Sequence, residues 1–202
     1  MTMPAHQTTA PSAQPRLDIA YKNRDARSPI RVWQVVLVFV LLGAAAPIVA
    51  KIHLTGSASW GFIAVVGFTW INVMIALWEI ALHLRIGLVE QQHQQFTREF
   101  SRGQELQQVF RFFTARLRPS DVLAPSTWAE VWSSYSLFDE AYANKKSFGF
   151  WVDTGNGFFT LLPALFFIYA LTFEAVDPRI VGIVGLMFFW QMLYGTIIYF
   201  WA

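Results

Sequence analysis

Cysteine is absent from this 202-residue sequence, and charged residues are scarce. Without a thiol, the chain has no thiolate nucleophile, no redox-active cysteine pair and no cysteine-ligated zinc. Charged residues make up 14% of the chain and apolar residues 55%, whereas a soluble domain usually carries about 25% charged residues. The composition excludes a collagen-like chain, a disulfide scaffold and disorder throughout, and it indicates a protein whose surface largely avoids water.

Four apolar segments are long enough to cross a bilayer, which takes about 20 residues in a helix. We predict spans at residues 33–50, 60–84, 148–173 and 180–201. The first segment also fits a signal peptide, because PIVA before Lys51 resembles a small-residue cleavage site. The polar region before it is long for such a signal, so we favour a membrane anchor. Because backbone groups in lipid must be satisfied within a segment, all four are predicted to be helices.

Basic residues are concentrated on one side of the predicted spans. Of the 15 Lys and Arg, all but Lys51 and Arg179 lie before the first span or between the second and third. Loops rich in Lys and Arg stay in the cytoplasm, so both termini and the segment at 85–146 are predicted to be cytoplasmic. Residues 1–29 have few large apolar side chains and are predicted to form a disordered tail, ahead of a four-helix membrane domain at 30–202.

The segment at 85–146 carries apolar residues at helical spacing. A first helix, broken near Gly103 and ended by Pro119, is predicted from Phe96, Phe100, Leu106, Val109, Phe110, Phe113 and Leu117. We favour an amphipathic helix on the membrane surface over a lid packed on the spans. A second helix is predicted to begin at Thr127, which forms a capping-box pattern with Glu130. Its apolar stripe comprises Trp128, Val131, Trp132, Tyr135, Phe138 and Tyr142.

The predicted fold is therefore an all-α integral membrane protein, a four-transmembrane-helix bundle with a cytoplasmic amphipathic helical insertion. Polar side chains inside such spans are costly, so each one is a candidate functional group. Glu79, Asp153 and Tyr194 are predicted to lie at a similar depth near the cytoplasmic end. Helical spacing groups the polar side chains on one face per span. They are Asn72, Glu79 and His83; Asp153, Asn156 and Thr160; and Gln191 and Tyr194, with Trp78, Trp151 and Trp190 beside them.

Each of these polar residues also has a structural interpretation. Asn72, Gln191 and Thr160 are typical of hydrogen bonds between membrane helices, and we favour that role for them. For Glu79 and Asp153 we give a structural role and a functional role equal weight. His83 fits an interfacial histidine better than a ligand, although a histidine there would also suit haem or chlorophyll. We predict no metal and no cofactor.

A run of spaced residues covers the last third of the chain. It comprises Trp132, Tyr135, Asp139 and Tyr142, which share one quadrant if helical, then Asp153, Thr160 and Pro163, and then Gln191, Tyr194, Gly195, Tyr199 and Phe200. The order and spacing over Trp132–Phe200 are similar to those of the emopamil-binding protein family. That family contains sterol Δ8-Δ7 isomerases and sigma-2-receptor-like membrane proteins.

The resemblance implies a pocket open to the bilayer that binds a flat apolar ligand such as a sterol. In the isomerases an acid protonates a ring alkene, aromatic faces stabilise the carbocation, and a base removes a different proton. It implies that Asp153 is the third-helix carboxylate, that Glu79 and His83 form the second-helix pair in reversed order, and that Trp151 or Trp190 forms an aromatic wall. The predicted ligand-binding residues are Asn72, Trp78, Trp151, Asn156, Trp190, Gln191 and Tyr194.

A second hypothesis is an accessory or structural subunit of a larger membrane complex, of an energy-transducing or photosynthetic type. The aromatic-rich spans and the amphipathic segment motivate it. Four spans without an inverted repeat or a charge-lined path disfavour a transporter or channel. Anionic lipid accounts for the arginines, so no nucleic-acid partner is predicted. The predicted partners are a membrane lipid or sterol-like ligand and, under the second hypothesis, other membrane-protein subunits.

Overall fold

The computed structural model describes residues 28–100 and 103–201, so nearly all of the predicted tail at 1–29 lies outside the described residues. Within the described residues the chain is helical and contains no strand. The α-helices are α1 (Val32–Thr55), α2 (Trp60–Leu84), α3 (Ile86–Glu99), α4 (Glu105–Thr114), α5 (Pro125–Tyr135), α6 (Phe148–Phe173) and α7 (Pro178–Trp201). Two short 3-10 turns lie at Pro119–Asp121 and Glu140–Ala143.

Four of these helices, α1, α2, α6 and α7, are long and apolar enough to cross a membrane. The all-helical prediction is therefore confirmed, and α2 and α6 have the predicted bounds. α1 instead continues past Lys51 to Thr55, and Gly56 ends it at a positive φ of 81°, which a residue without a Cβ adopts at no steric cost. Lys51 lies within the helix, and its amine pairs with the carboxylate of Glu174, the residue directly after α6.

α2 and α6 approach each other closely at Gly157. A Cβ atom added to Gly157 would lie 2.8 Å from the Cβ of Glu79 and 3.0 Å from the Ala76 carbonyl oxygen. Small residues allow membrane helices to pack backbone against backbone, and buried Thr154 and Ala164 continue this side of α6. The close approach holds Glu79 directly against α6.

Aromatic side chains fill the other long-helix contacts. The indole of Trp70 on α2 occupies the space that a side chain at Gly43 of α1 would need, and its Nε1 donates to the Phe39 carbonyl oxygen at 3.0 Å. On α7, a Cβ at Gly185 would lie 2.7 Å from the ring of Phe167. Gly43 of α1 and Gly185 of α7 therefore receive rings from α2 and α6, respectively.

The segment between α2 and α6 packs on one end of the long helices. The Val32 N–H at the start of α1 donates to the Ala115 carbonyl oxygen at 3.1 Å. The Trp132 indole N–H donates to the Trp78 carbonyl oxygen near the end of α2 at 2.7 Å, and Phe150 of α6 belongs to the same apolar cluster. α5 therefore packs against α2 beside the start of α6.

Two details of the predicted α5 are wrong. The helix begins at Pro125 after Ala124 rather than at Thr127, and no side chain caps it, because proline is favoured in the first helical turn, where its missing N–H costs nothing. α5 also ends at Tyr135. Asp139 accepts from the Ala141 N–H at 2.9 Å and starts the second 3-10 turn. The apolar stripe predicted from Trp128 to Tyr142 therefore does not lie on a single helix.

Candidate functional site

A cavity of about 910 Å³ lies between α2, α6 and α7, and α5 with the turn at Glu140–Ala143 closes one side of it. Sites for small molecules have volumes of about 300–1,000 Å³, so the cavity is large enough for a sizeable ligand. Three carboxylates from three separate elements line it: Glu79 of α2, Asp153 of α6 and Asp139 before the 3-10 turn. The convergence of these acids is the main chemical feature of the cavity, which we call the acidic cavity.

The three carboxylates differ in burial and in their partners. Glu79 is only 6% exposed, and it lies near enough to Asp153 for their charges to interact. Asp153 is half-buried and accepts a hydrogen bond from the buried Tyr142 hydroxyl. Carboxylates that share a low-dielectric cavity repel one another, and a cationic group placed between them relieves that repulsion.

Aromatic rings form the wall of the cavity on the side of α5. Trp132 and Tyr142 have ring centroids 5.1 Å apart, and those of Tyr135 and Tyr142 are 5.0 Å apart. Trp78 and Phe148 complete the set of large aromatic residues that line the cavity. Aromatic faces attract cations as well as apolar groups, so this wall and the carboxylates favour the same kind of ligand.

Uncharged polar side chains line the opposite part of the cavity. Asn156 and Thr160 of α6 line it, and both accept from the Gln191 amide of α7, at 3.1 Å to Asn156 Oδ1 and at 3.4 Å to Thr160 Oγ1. Gln191 itself is not among the lining residues. These bonds between helices are those that we favoured for Gln191 and Thr160. Asn72 lines the cavity too, but its amide donates to the Phe68 carbonyl oxygen of its own helix at 2.9 Å.

His83 does not line the cavity with Glu79, although the two are four residues apart on α2. Its ring lies among three aromatic rings of α6, with centroid distances of 6.2 Å to Phe150, 6.3 Å to Trp151 and 5.5 Å to Phe158. Trp151 is also absent from the cavity wall. The predicted pairing of Glu79 with His83 is therefore not the arrangement found, and Asp153 is the group that accompanies Glu79.

Trp190 and Tyr194 lie on the outer surface of α7. They are 61% and 53% exposed, and their rings stack on each other with centroids 6.3 Å apart. Met192, Gly195 and Thr196 line the cavity from this helix instead. The sequence predicted how far along α7 these two residues lie, but it did not predict which side of the helix each side chain faces.

Asp139 is the one acid of the cavity that the predicted site omits. Its position in the spaced run from Trp132 to Tyr142 was a usable signal, because that run brings its members into the same wall. No group of three or more His, Cys, Asp or Glu able to hold a metal ion occurs in the described part of the chain.

Comparisons with known proteins return no relative. No family model, no curated protein and no solved structure matches the chain. The similarity to the emopamil-binding protein family therefore stays a prediction.

Proposed function

We propose that this chain is a multi-pass membrane protein that binds a flat, largely apolar ligand of sterol size in the cavity between α2, α5, α6 and α7. The ligand carries a cationic group that lies between Glu79 and Asp153. The observation that carries the proposal is that these two carboxylates, from two long helices, line one cavity. The aromatic wall receives the apolar body of the ligand.

Two features of the cavity support a cationic amphiphile over a wholly apolar lipid. A wholly apolar lipid would leave the buried Glu79 without a compensating charge, and burial of polar groups without partners is costly. The second feature is the position of Tyr142, which donates to Asp153 and packs on Trp132, so that aromatic faces and a carboxylate can act on the same cation.

Ligand binding by purified protein in lipid nanodiscs tests the proposal. A radiolabelled lipophilic tertiary amine is expected to bind saturably. Asp153→Asn and Glu79→Gln are each expected to weaken binding about 10- to 100-fold, as loss of a charged hydrogen-bond partner predicts. A radiolabelled sterol without an amine is expected to be much less sensitive to the same substitutions.

Glu174→Gln is the matched control, because Glu174 lies at the far end of α6, beside Lys51. It is expected to leave the affinity for the amine unchanged. Thermal unfolding of each variant checks that it is folded. If folded Asp153→Asn and Glu79→Gln both bind the amine with wild-type affinity, the cavity is not the binding site.

An accessory subunit of a larger membrane complex is the second candidate. The outer surface that α6 and α7 present supports it, because Phe159 is 75% exposed, Leu162 71% and Trp190 61%. Such a surface contacts either lipid or another membrane protein. Extraction in mild detergent followed by native mass measurement distinguishes the two: stable association with larger proteins supports this candidate, and a lone 23.1 kDa chain contradicts it.

The proposed topology places both termini and the segment from α3 to α5 in the cytoplasm. Because the chain contains no cysteine, each introduced cysteine is a unique label. In intact cells an impermeant maleimide is expected to label Ser57→Cys, which lies between α1 and α2. Ser120→Cys, in the turn before α5, is expected to react only after permeabilisation. The reverse pattern would contradict the topology.

A further inference from the structure

A second cavity, an apolar groove of about 320 Å³, lies between α1, α2 and the residues that lead into α5. Its lining is almost entirely hydrocarbon and includes Val36, Phe39, Leu77, Leu84, Leu123 and Trp128. Trp78 separates the groove from the acidic cavity, because it lines both and stacks on Trp128 with ring centroids 6.1 Å apart. No carboxylate lines the groove, so it suits a different ligand from the acidic cavity.

The groove has the length of one leaflet of a bilayer. It extends along α2 from Met74 to Leu84, which is about 15 Å at 1.5 Å per residue. The hydrocarbon core of a bilayer is about 30 Å thick, so this distance matches the depth of a single layer of acyl chains. The groove begins near the end of α2 and the start of α1, and headgroups are expected at the ends of helices that span the hydrocarbon core.

Basic residues stand at this end of the groove. Arg31 precedes α1, about one turn before Val35 of the lining, and Arg85 directly follows Leu84. Both arginines are exposed. Asp121 is the acid in the neighbouring 3-10 turn, so the mouth of the groove is basic on balance. Such a cluster attracts anionic headgroups.

We propose that the groove binds an anionic phospholipid, with one acyl chain between α1 and α2 and the phosphate at Arg31 and Arg85. The acyl chain matches the apolar lining and the one-leaflet length, and the headgroup matches the charge at the mouth. This site is independent of the ligand proposed for the acidic cavity, and neither requires the other.

Electron paramagnetic resonance with spin-labelled lipids tests the site in full-length protein in nanodiscs. The ratio of immobilised phosphatidylglycerol to immobilised phosphatidylcholine measures the preference for an anionic headgroup. Arg85→Gln is expected to lower this ratio about fivefold, the effect of one basic residue at a membrane surface. Leu84→Trp, which fills the mouth, is expected to lower the immobilised fraction of phosphatidylglycerol.

The controls use the same substitutions outside the groove. Arg179→Gln lies in the first turn of α7, at the other end of the long helices, and Leu186→Trp lies on the exposed surface of α7; both are expected to behave as wild type. Spin-labelled stearic acid separates a phospholipid from a free fatty acid, and retention equal to that of phosphatidylglycerol would overturn the assignment to a phospholipid. An unchanged lipid ratio in Arg85→Gln together with unchanged retention in Leu84→Trp would overturn the site itself.

Discussion

Replacing Gly157 with alanine is expected to lower the free energy of unfolding by about 1–3 kcal/mol, the usual cost of overpacking a well-packed core. The added Cβ would lie 3.0 Å from the Ala76 carbonyl oxygen and 3.0 Å from the Ile80 nitrogen. Both are backbone atoms, so α2 and α6 must separate rather than adjust a side chain. The shift also moves Glu79, and weaker binding of the tertiary amine is expected with it.

Gly155→Ala is the matched control on the same helix, because a Cβ there meets no atom within 4 Å. Alanine is favoured over glycine inside a helix by about 0.5–1 kcal/mol, so this variant is expected to be neutral or more stable. Unfolding in mixed micelles with increasing sodium dodecyl sulfate gives both free energies. Equal stability of the Gly155 and Gly157 variants would contradict the close packing of α2 on α6.

Trp132→Ala is expected to cost about 3–5 kcal/mol, as truncation of a buried aromatic residue does. Trp132 is 8% exposed, it packs on Tyr142, and its indole N–H holds α5 to the Trp78 carbonyl oxygen of α2 at 2.7 Å. Its loss removes both the packing and the bond that fix one wall of the acidic cavity. Binding of the tertiary amine is expected to fall together with stability.

Two further variants divide this effect into its parts. Trp132→Phe keeps a ring but removes the N–H donor, and a cost of about 1 kcal/mol is expected from the lost hydrogen bond. Trp60→Ala is the control for removing a tryptophan, because Trp60 is 85% exposed at the start of α2, and little change is expected. Wild-type stability of Trp132→Ala in the micelle titration would show that α5 does not pack as described.

The long helices were predictable because a bilayer sets a strict length for apolar segments. The difference at the end of α1 arises from one assumption, that a charge ends a span. A lysine can bury its long apolar stem while its amine reaches a polar partner, and the partner of Lys51 is Glu174, directly after α6. The residues around Lys51 in the sequence do not reveal a partner so far away along the chain.

The sequence predicted how far along each span the residues of the acidic cavity lie, but only partly which side of the helix they occupy. α7 carries no charged residue beyond its first turn and has only a few polar residues, so its sequence gives little indication of which side packs inward; Trp190 was predicted to be a wall residue and lies on the outer surface. Glu79 and Asp153 were singled out because an acid in a span rarely faces lipid, and both line the cavity. The position of His83 depends on three rings of α6 that no spacing within α2 reveals.

The residues that line the acidic cavity belong to parts of the chain that the ribosome synthesises at different times. α2 enters a membrane before α6 has been made, so Glu79 is inserted before Asp153 and Tyr142 exist. An acid within a span opposes insertion by the translocon, and neighbouring apolar residues compensate for it. The apolar residues of α2 must therefore suffice for integration on their own, and a nascent chain released before Phe148 would expose half of an unfinished site to lipid.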